Sequence, residues 1–180
     1  RFDKIFVVSK EAKEKLDSLI PSIRKKTEVF KNIISKKIIT EKAKFGDSFD
    51  DNFDGIRILT VGRLSKEKGQ DITIPVLAQL RESGYNVRWY CVGEGNLRGA
   101  CEKLIKEYNV ENDYILLGAS LNPYAYMKDC DIYVQSSRHE GYCITLAEAR
   151  CFNNPIVSTN FTGAKEQIDD GVTGIIVNCN

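Results

Sequence analysis

Short apolar runs alternate with stretches of helical periodicity from residue 56 to the end of the chain. The runs are continuous and rich in β-branched residues, which predicts buried strands. Strands are expected at 56–62, 87–93, 113–118, 131–137, 155–159 and 174–178, and helices at 70–83, 97–108, 122–129, 145–152 and 164–169. Strands that alternate with helices predict a mostly parallel sheet covered on both faces. Right-handed crossovers then make the chain from about residue 40 onward a doubly wound, Rossmann-like α/β domain.

The pattern before residue 56 is less regular. A strand is predicted at 3–9, a helix at 10–20 before Pro21, and a strand-like run at 27–34. Residues 41–55 are rich in Asp, Gly and Lys with little periodicity, which is typical of a loop or linker. Because the chain opens inside one strand-like run and closes on another, we expect it to be a piece of a longer protein.

Charge and cysteine usage narrow the class of protein. The 26 basic and 25 acidic side chains leave a net charge of +1, which provides no global field for nucleic acid. Six cysteines without a C-x-x-C pair, and a single histidine at 139, argue against a zinc site and against a disulfide scaffold. No apolar run approaches the roughly 20 residues that span a bilayer. We therefore expect a cytoplasmic protein with reduced, buried thiols, at most peripheral to the inner face of a membrane.

The loops that follow the strands hold the candidate chemistry, since ligands of such sheets bind at the carboxyl ends of the strands. Arg63 and Lys68 follow the strand at 56–62, and a forked guanidinium with a point-charge ammonium suits a diphosphate. The alternative is that Arg63 and Lys68 are ordinary solvated charges on the surface. The G-E-G turn at 93–95 lacks the third glycine of the dinucleotide fingerprint, so a tight turn is the better interpretation.

Two glutamates follow the strand at 131–137. Glu140 precedes Gly141 at a strand end, where a carboxylate is well placed for a ligand. Glu148 has a structural alternative, because Thr145 and Glu148 fit a capping box at a helix start. The free N–H groups of that helix, around Cys143 to Leu146, could also hold an anion. Glu166 sits in the first turn of the next expected helix, where the helix dipole alone accounts for a carboxylate.

The ordered segments VGRLSKEKG, CVGEG, LLG, CDIYVQSSRHEGYCITLAEA and PIVSTNFTGAKEQIDDGVTG resemble the nucleotide-sugar-binding domain of retaining GT-B glycosyltransferases of family 4. The resemblance covers roughly residues 56–178, and the Glu-x7-Glu spacing within the ordered set is its most specific part. It implies that residues 1–40 are a remnant of the N-terminal acceptor domain and the crossing from it. Residues 41–55 are then a linker or loop, and residues 56–180 the donor-binding domain.

The resemblance also implies roles. Arg63 and Lys68 match the cations that neutralise the donor diphosphate, Glu140 the carboxylate facing the donor sugar, and Glu148 the one that binds the ribose hydroxyls. Leu117 and Gly118 match the region bordering the base. The loop residues Gly141, Tyr142, Cys143, Ile144 and Thr145 match the backbone that approaches the donor. The family needs no obligatory metal and no cofactor beyond the nucleoside diphosphate sugar.

The expected activity is transfer of a hexose, with retention, from a nucleoside diphosphate sugar to a glycan or lipid-linked acceptor. UDP is favoured over GDP or ADP as the nucleotide, and the acceptor is expected to bind an N-terminal domain absent from this chain, so that the chain alone is inactive. The family often has glycine where this chain has Cys143 and proline where it has Thr145. A GT-B-type sugar-nucleotide epimerase, or a catalytically silent nucleotide-binding or partner module, remains the alternative.

Overall fold

The computed structural model describes residues 2–179, so residues 1 and 180 of the predicted terminal segments lie outside the described range. Two strands and two helices come first. They are β1 (Ile5–Val7), α1 (Lys10–Leu19), β2 (Thr27–Val29) and α2 (Lys36–Lys42). The alternating part follows as β3 (Ile56–Val61), α3 (Gln70–Glu82), β4 (Val87–Val92), α4 (Arg98–Glu107), β5 (Tyr114–Gly118), α5 (Tyr124–Asp129), β6 (Ile132–Gln135), α6 (Ile144–Ala149), β7 (Ile156–Thr159) and β8 (Ile175–Val177).

The sheet order confirms the predicted fold class. Six parallel strands lie in the order β5-β4-β3-β6-β7-β8, and β1 pairs in parallel with β2 in a separate two-stranded sheet. After β3 the chain adds β4 and then β5 toward one edge of the sheet. It then returns to β6, beside β3, and adds β7 and β8 toward the other edge. The point between β3 and β6 is therefore the topological switch point, where the loops diverge and leave a crevice for a ligand.

Alternate side chains of the sheet feed two separate cores. Leu59 and Tyr90 belong to one apolar cluster, whereas Ile58 and Trp89 belong to the other. Successive residues of a strand point to opposite faces, so burial on both sides explains why these strands read as continuous apolar runs. Helices therefore cover both faces of the sheet, and they hold its carboxyl edge in a fixed shape.

Two predicted elements are shorter in the structure, and one helix was not predicted. The strand expected at 27–34 ends at Val29, and the helix expected at 164–169 is a single 3₁₀ turn, Ala164–Glu166. The helix α2 was missed although it overlaps the start of the predicted linker. Ser35 begins α2, its hydroxyl accepting from the Ile38 N–H at 3.4 Å, and Ile39 is the one buried residue in it. One buried position is too short a pattern to show helical periodicity.

The rest of the predicted linker packs against the sheet. The Asp51 carboxylate accepts hydrogen bonds at 2.8 Å from both Arg57 and Arg88 and a further one from the Tyr90 hydroxyl. Phe49 lies 4.5 Å from Tyr90, between ring centroids. This segment is thus fixed to β3 and β4. Within residues 2–179 none of the helices combines the length and the apolar character needed to cross a membrane.

Candidate functional site

The two loops at the switch point are hydrogen-bonded to each other. The Arg138 guanidinium, in the loop after β6, binds both carboxylate oxygens of Asp71 at 2.7 and 2.9 Å and the Lys66 carbonyl at 3.0 Å. The Ser136 hydroxyl donates to the Lys68 carbonyl at 2.8 Å. The Arg138 N–H donates to the Glu67 carbonyl at 2.7 Å. The loop after β3 is therefore a fixed part of the site.

Glycines allow this close approach. Gly69 has a φ of +71°, and a Cβ there would lie 2.2 Å from the Ser136 carbonyl oxygen. A Cβ on Gly93 would lie 1.9 Å from the Gly62 carbonyl oxygen, and one on Gly95 would lie 2.2 Å from that of Leu64. The G-E-G sequence thus lets the loop after β4 lie directly against the backbone after β3.

Lys68 and Glu140 meet across the switch point. The Lys68 ammonium lies 2.6 Å from Glu140 Oε1, and the Ser137 hydroxyl donates to the same oxygen at 2.7 Å. The two side chains are only 23% and 12% exposed, respectively. Partial burial weakens solvent screening of the pair, so the two charges attract each other more strongly than an exposed pair would.

The pair lines a cavity of about 290 Å³. The other residues that line it are Val8, Asn32, Tyr142, Cys143, Ile144 and Thr145. The structure therefore brings together most of the loop at 141–145 with the predicted cation and carboxylate. Val8 and Asn32 come from the N-terminal segment, which closes one side of the cavity.

Reciprocal capping holds the N-terminal segment against the domain. Glu166 Oε1 accepts from the Glu11 N–H at 3.0 Å in the first turn of α1, and Glu11 Oε2 accepts from the Gly163 N–H at 2.8 Å. The Lys31 ammonium lies 3.2 Å from Glu166. The pKa of Glu166 is lowered, because these hydrogen bonds outweigh the opposing effect of burial. Glu166 therefore caps α1, a helix of the N-terminal segment, through the Glu11 N–H.

Leu117 and Gly118 line a second cavity, of about 360 Å³, at the carboxyl end of β5. Gly46 and Asp47 contribute to it from the segment before β3. The Asn122 amide holds that segment by donating to the Lys42 carbonyl at 3.0 Å and to the Phe45 carbonyl.

A larger cavity, of about 700 Å³, lies at the amino ends of β6 and β7, and Arg150 is the one ionisable side chain among the described residues lining it. The largest of these three cavities is therefore not the one that holds the charged pair Lys68 and Glu140.

Arg63 lies in the same loop as Lys68 but lines neither of the two cavities at the carboxyl edge. Its side chain is exposed and makes no ion pair within the described part of the chain. Its carbonyl accepts from the buried Gln70 amide at 2.9 Å, which fixes the backbone from which the exposed guanidinium extends.

The capping-box interpretation of Thr145 and Glu148 was wrong. Helix α6 begins at Ile144, two residues earlier than a box with Thr145 at the N-cap requires, and within residues 2–179 no side chain caps it. The Thr145 hydroxyl donates to Gln135 at 3.2 Å, and Glu148 accepts from the Tyr124 hydroxyl at 2.8 Å. Burial, together with this hydrogen bond, raises the pKa of Tyr124 to about 12, so the phenol stays a donor to Glu148.

Cys143 has the backbone conformation that favours glycine. Its φ is +51°, in the left-handed region that side chains with a Cβ rarely adopt. Its thiol is buried, and burial raises its pKa to about 11, so it is a neutral thiol at physiological pH. The glycine common at this position in the related family would adopt the conformation without strain.

Two residues of the site were missed from the sequence. Gln135 and Ser137 are fully buried and link Glu140 to the interior of the sheet. The one signal was a run of polar residues, Gln-Ser-Ser, at the end of a strand that is otherwise apolar. Within residues 2–179, no group of three or more His, Cys, Asp or Glu side chains is arranged to hold a metal ion.

The fold and the site define an α/β protein with a charged crevice at the switch point of a parallel sheet. Residues 43–180 match the family described as glycosyl transferases group 1. The match covers well over half of the chain, so the chain belongs to this family.

Two relatives agree with that assignment, and a solved structure shares the fold. A 4-alpha-N-acetylgalactosaminyltransferase of Campylobacter jejuni, acting on N-acetylgalactosamine-N,N'-diacetylbacillosaminyl-diphospho-undecaprenol, is 32% identical over 98% of this chain and 47% of its own length. An uncharacterized glycosyltransferase of Methanocaldococcus jannaschii is 31% identical over 91% of this chain and 41% of its own. The crystal structure of Anabaena HepE with UDP and glucose superposes with a TM-score of 0.84 at 20% identity, over 98% of this chain and 49% of that one. The chain thus spans less than half the length of these curated relatives.

Proposed function

We propose that this chain is the donor-binding part of a retaining glycosyltransferase of family 4, which transfers a hexose from a UDP-sugar to a glycan or lipid-linked acceptor. The observation that carries the proposal is the Lys68–Glu140 pair, 2.6 Å apart, lining a cavity at the switch point. A cation and a carboxylate in one cavity suit a ligand that joins an anionic diphosphate to a hydroxyl-rich sugar.

The main requirement of the proposed glycosyl transfer is stabilisation of the negative charge on the departing nucleoside diphosphate. The bond between the anomeric carbon and the diphosphate oxygen breaks, and its electron pair leaves with the nucleotide. The acceptor hydroxyl forms the new bond to that carbon and gives its proton to the departing phosphate. In this proposal Lys68 and Arg63 stabilise the negative charge that develops on the diphosphate, as preorganised cations do. Glu140 faces the sugar, Glu148 the ribose, and Leu117 and Gly118 the base, without an obligatory metal.

Two comparisons support the finer details. HepE is described with UDP and glucose, which favours a uridine nucleotide, and the Campylobacter relative is named for a diphospho-undecaprenol acceptor, which favours a lipid-linked one. In this account the acceptor binds a further N-terminal part, and the chain alone binds donor without turning it over. A lipid-linked acceptor would place the whole protein at the inner face of a membrane.

Calorimetric titration of UDP, GDP and ADP into the chain tests the proposal. We expect UDP to bind most tightly, and Lys68→Ala to weaken UDP binding about 10-fold or more, since a charge-assisted hydrogen bond contributes about 1.5–3 kcal/mol. Lys66→Ala is the matched control, because its exposed ammonium lies in the same loop but lines neither carboxyl-edge cavity.

Absence of binding by all three nucleotides at millimolar concentration, with the chain folded, would contradict the proposal. Equal weakening by Lys66→Ala and Lys68→Ala would show that general surface charge, and not the cavity, holds the nucleotide.

A further inference from the structure

A chain of buried hydrogen bonds lies behind Glu140. The Gln135 amide donates to the Ser137 hydroxyl at 2.7 Å, and that hydroxyl lies 2.7 Å from Glu140 Oε1. On the other side, Gln135 Oε1 accepts from the Tyr133 hydroxyl at 2.9 Å and from the Thr145 hydroxyl at 3.2 Å. Gln135 and Ser137 are 0% exposed and Tyr133 is 1% exposed.

The carboxylate sets the direction of every bond in this chain. An ionised carboxylate only accepts, so the Ser137 hydroxyl must donate to Glu140 and can only accept from Gln135. The Gln135 NH₂ group therefore faces Ser137, and its carbonyl oxygen faces the Tyr133 and Thr145 hydroxyls. Each group thus has a complementary partner, which leaves a single consistent orientation of the amide.

An apolar strand has no need of this network for its own stability. The neighbouring clusters are built from Leu, Ile, Val and Tyr side chains, and an apolar residue at 135 would avoid the cost of burying an amide. A fully satisfied buried network does, however, fix the geometry of its members. The Thr159 hydroxyl lies within hydrogen-bonding distance of the backbone carbonyl oxygens of both Gln135 and Ser137 and can donate to either of them.

We infer that Ser137 and Gln135 are positioning residues that hold the Glu140 carboxylate against the donor sugar. The inference rests on the proposed function. Lys68 gives Glu140 a second partner, but a diphosphate would compete for that ammonium, whose three N–H donors are shared. Ser137 is out of reach of the diphosphate because it is buried, so it keeps Glu140 in position while the donor is bound.

The test compares UDP with UDP-sugars in Ser137→Ala. UDP-glucose, UDP-galactose and their N-acetyl derivatives are titrated calorimetrically into the parent chain, and the tightest of them is kept as the probe. Ser137→Ala should weaken binding of that UDP-sugar about 10-fold, the cost of a hydrogen bond to a charged group. The affinity for UDP itself should change less than twofold, because the cations that hold the diphosphate are intact.

The control is Ser158→Ala. Ser158 is also 0% exposed, but its hydroxyl donates to the carbonyl of the adjacent Thr159 on β7, and not to Glu140 or Gln135. Ser158→Ala should leave the ratio of the affinity for the UDP-sugar to the affinity for UDP unchanged. If Ser137→Ala fails to fold, Gln135→Met can replace it, because methionine has a similar shape but lacks the amide. Gln135→Met should likewise weaken binding of the UDP-sugar more than binding of UDP.

A double-mutant cycle shows whether Ser137 acts through Glu140. In a Glu140→Ala background, Ser137→Ala should change UDP-sugar affinity less than twofold, because coupled residues are not additive. Equal weakening of UDP and UDP-sugar by Ser137→Ala, or additive effects in the cycle, would overturn the positioning role while leaving the proposed function standing. Failure of the parent chain to bind any uridine nucleotide would instead refute the proposed function.

Discussion

Gly69 is the residue on which the position of Lys68 most depends. It has a φ of +71°, and a Cβ there would lie 2.2 Å from the Ser136 carbonyl oxygen, a backbone atom that cannot rotate away. Backbone conformation and steric space both require glycine at this position. The sequence showed a glycine after Lys68, but the second requirement comes from the loop after β6, more than 60 residues further along the chain.

Gly69→Ala should therefore destabilise the protein more than a left-handed φ alone explains. Gly84→Ala is the control, because Gly84 has a φ of +84° but no atom within 4 Å of its would-be Cβ. We expect about 1 kcal/mol for Gly84→Ala and about 2 kcal/mol more for Gly69→Ala, from backbone strain and overpacking respectively. Chemical denaturation measures both, and equal costs would contradict the close contact with Ser136.

At the level of elements, the segment between α2 and β3 was the hardest to predict. Its interactions are a carboxylate between two arginines and an aromatic side chain on the sheet, and neither leaves a periodic pattern in the sequence. Asp51 is the centre of this segment, since its carboxylate binds Arg57, Arg88 and Tyr90. Its burial opposes ionisation, but these hydrogen bonds outweigh it and hold the pKa of Asp51 well below its usual range.

Asp51→Asn should lower the free energy of unfolding by about 1–2 kcal/mol at pH 7, less than the 3–5 kcal/mol of a fully buried pair, since Asp51 is partly exposed. A depressed folded-state pKa stabilises above the unfolded pKa, and that stability is lost as pH falls toward the folded value. The difference between wild type and Asp51→Asn should therefore be constant near neutrality and shrink below about pH 4.

Denaturant unfolding at pH 7 and at pH 3 measures this difference. Asp54→Asn serves as the control, because Asp54 is exposed and, among the described residues, its carboxylate accepts only from the Asn86 amide, at 3.2 Å. A difference that stayed the same at pH 3 would show that the Asp51 charge does not anchor the segment.

At the level of the whole molecule, alternation of strands and helices was enough to predict the parallel sheet, because both faces of every central strand are buried. The candidate residues could also be placed at the carboxyl edge, since topology alone puts strand ends together. What sequence could not show is that Lys68 and Glu140 pair directly, or that Val8 and Asn32 close the cavity. Those contacts depend on how loops and the N-terminal segment pack, and the capping between Glu11 and Glu166 that sets this packing joins residues 155 positions apart.

The same capping holds the N-terminal segment beside the loop after β6, and both segments line the cavity that contains Lys68 and Glu140. Because the N-terminal segment supplies one wall and the loop after β6 the other, a donor bound here would contact both. The reciprocal bonds between α1 and the turn at Ala164–Glu166 are therefore as relevant to the site as the charged pair within it.

A crystal structure of the chain with UDP would show whether the crevice between β3 and β6 holds a nucleoside diphosphate. We predict that the diphosphate lies within hydrogen-bonding distance of the Lys68 ammonium, with the Arg63 guanidinium turned toward it and the uracil near Leu117 and Gly118. UDP bound at the amino ends of β6 and β7, or anywhere away from Lys68, would contradict the account.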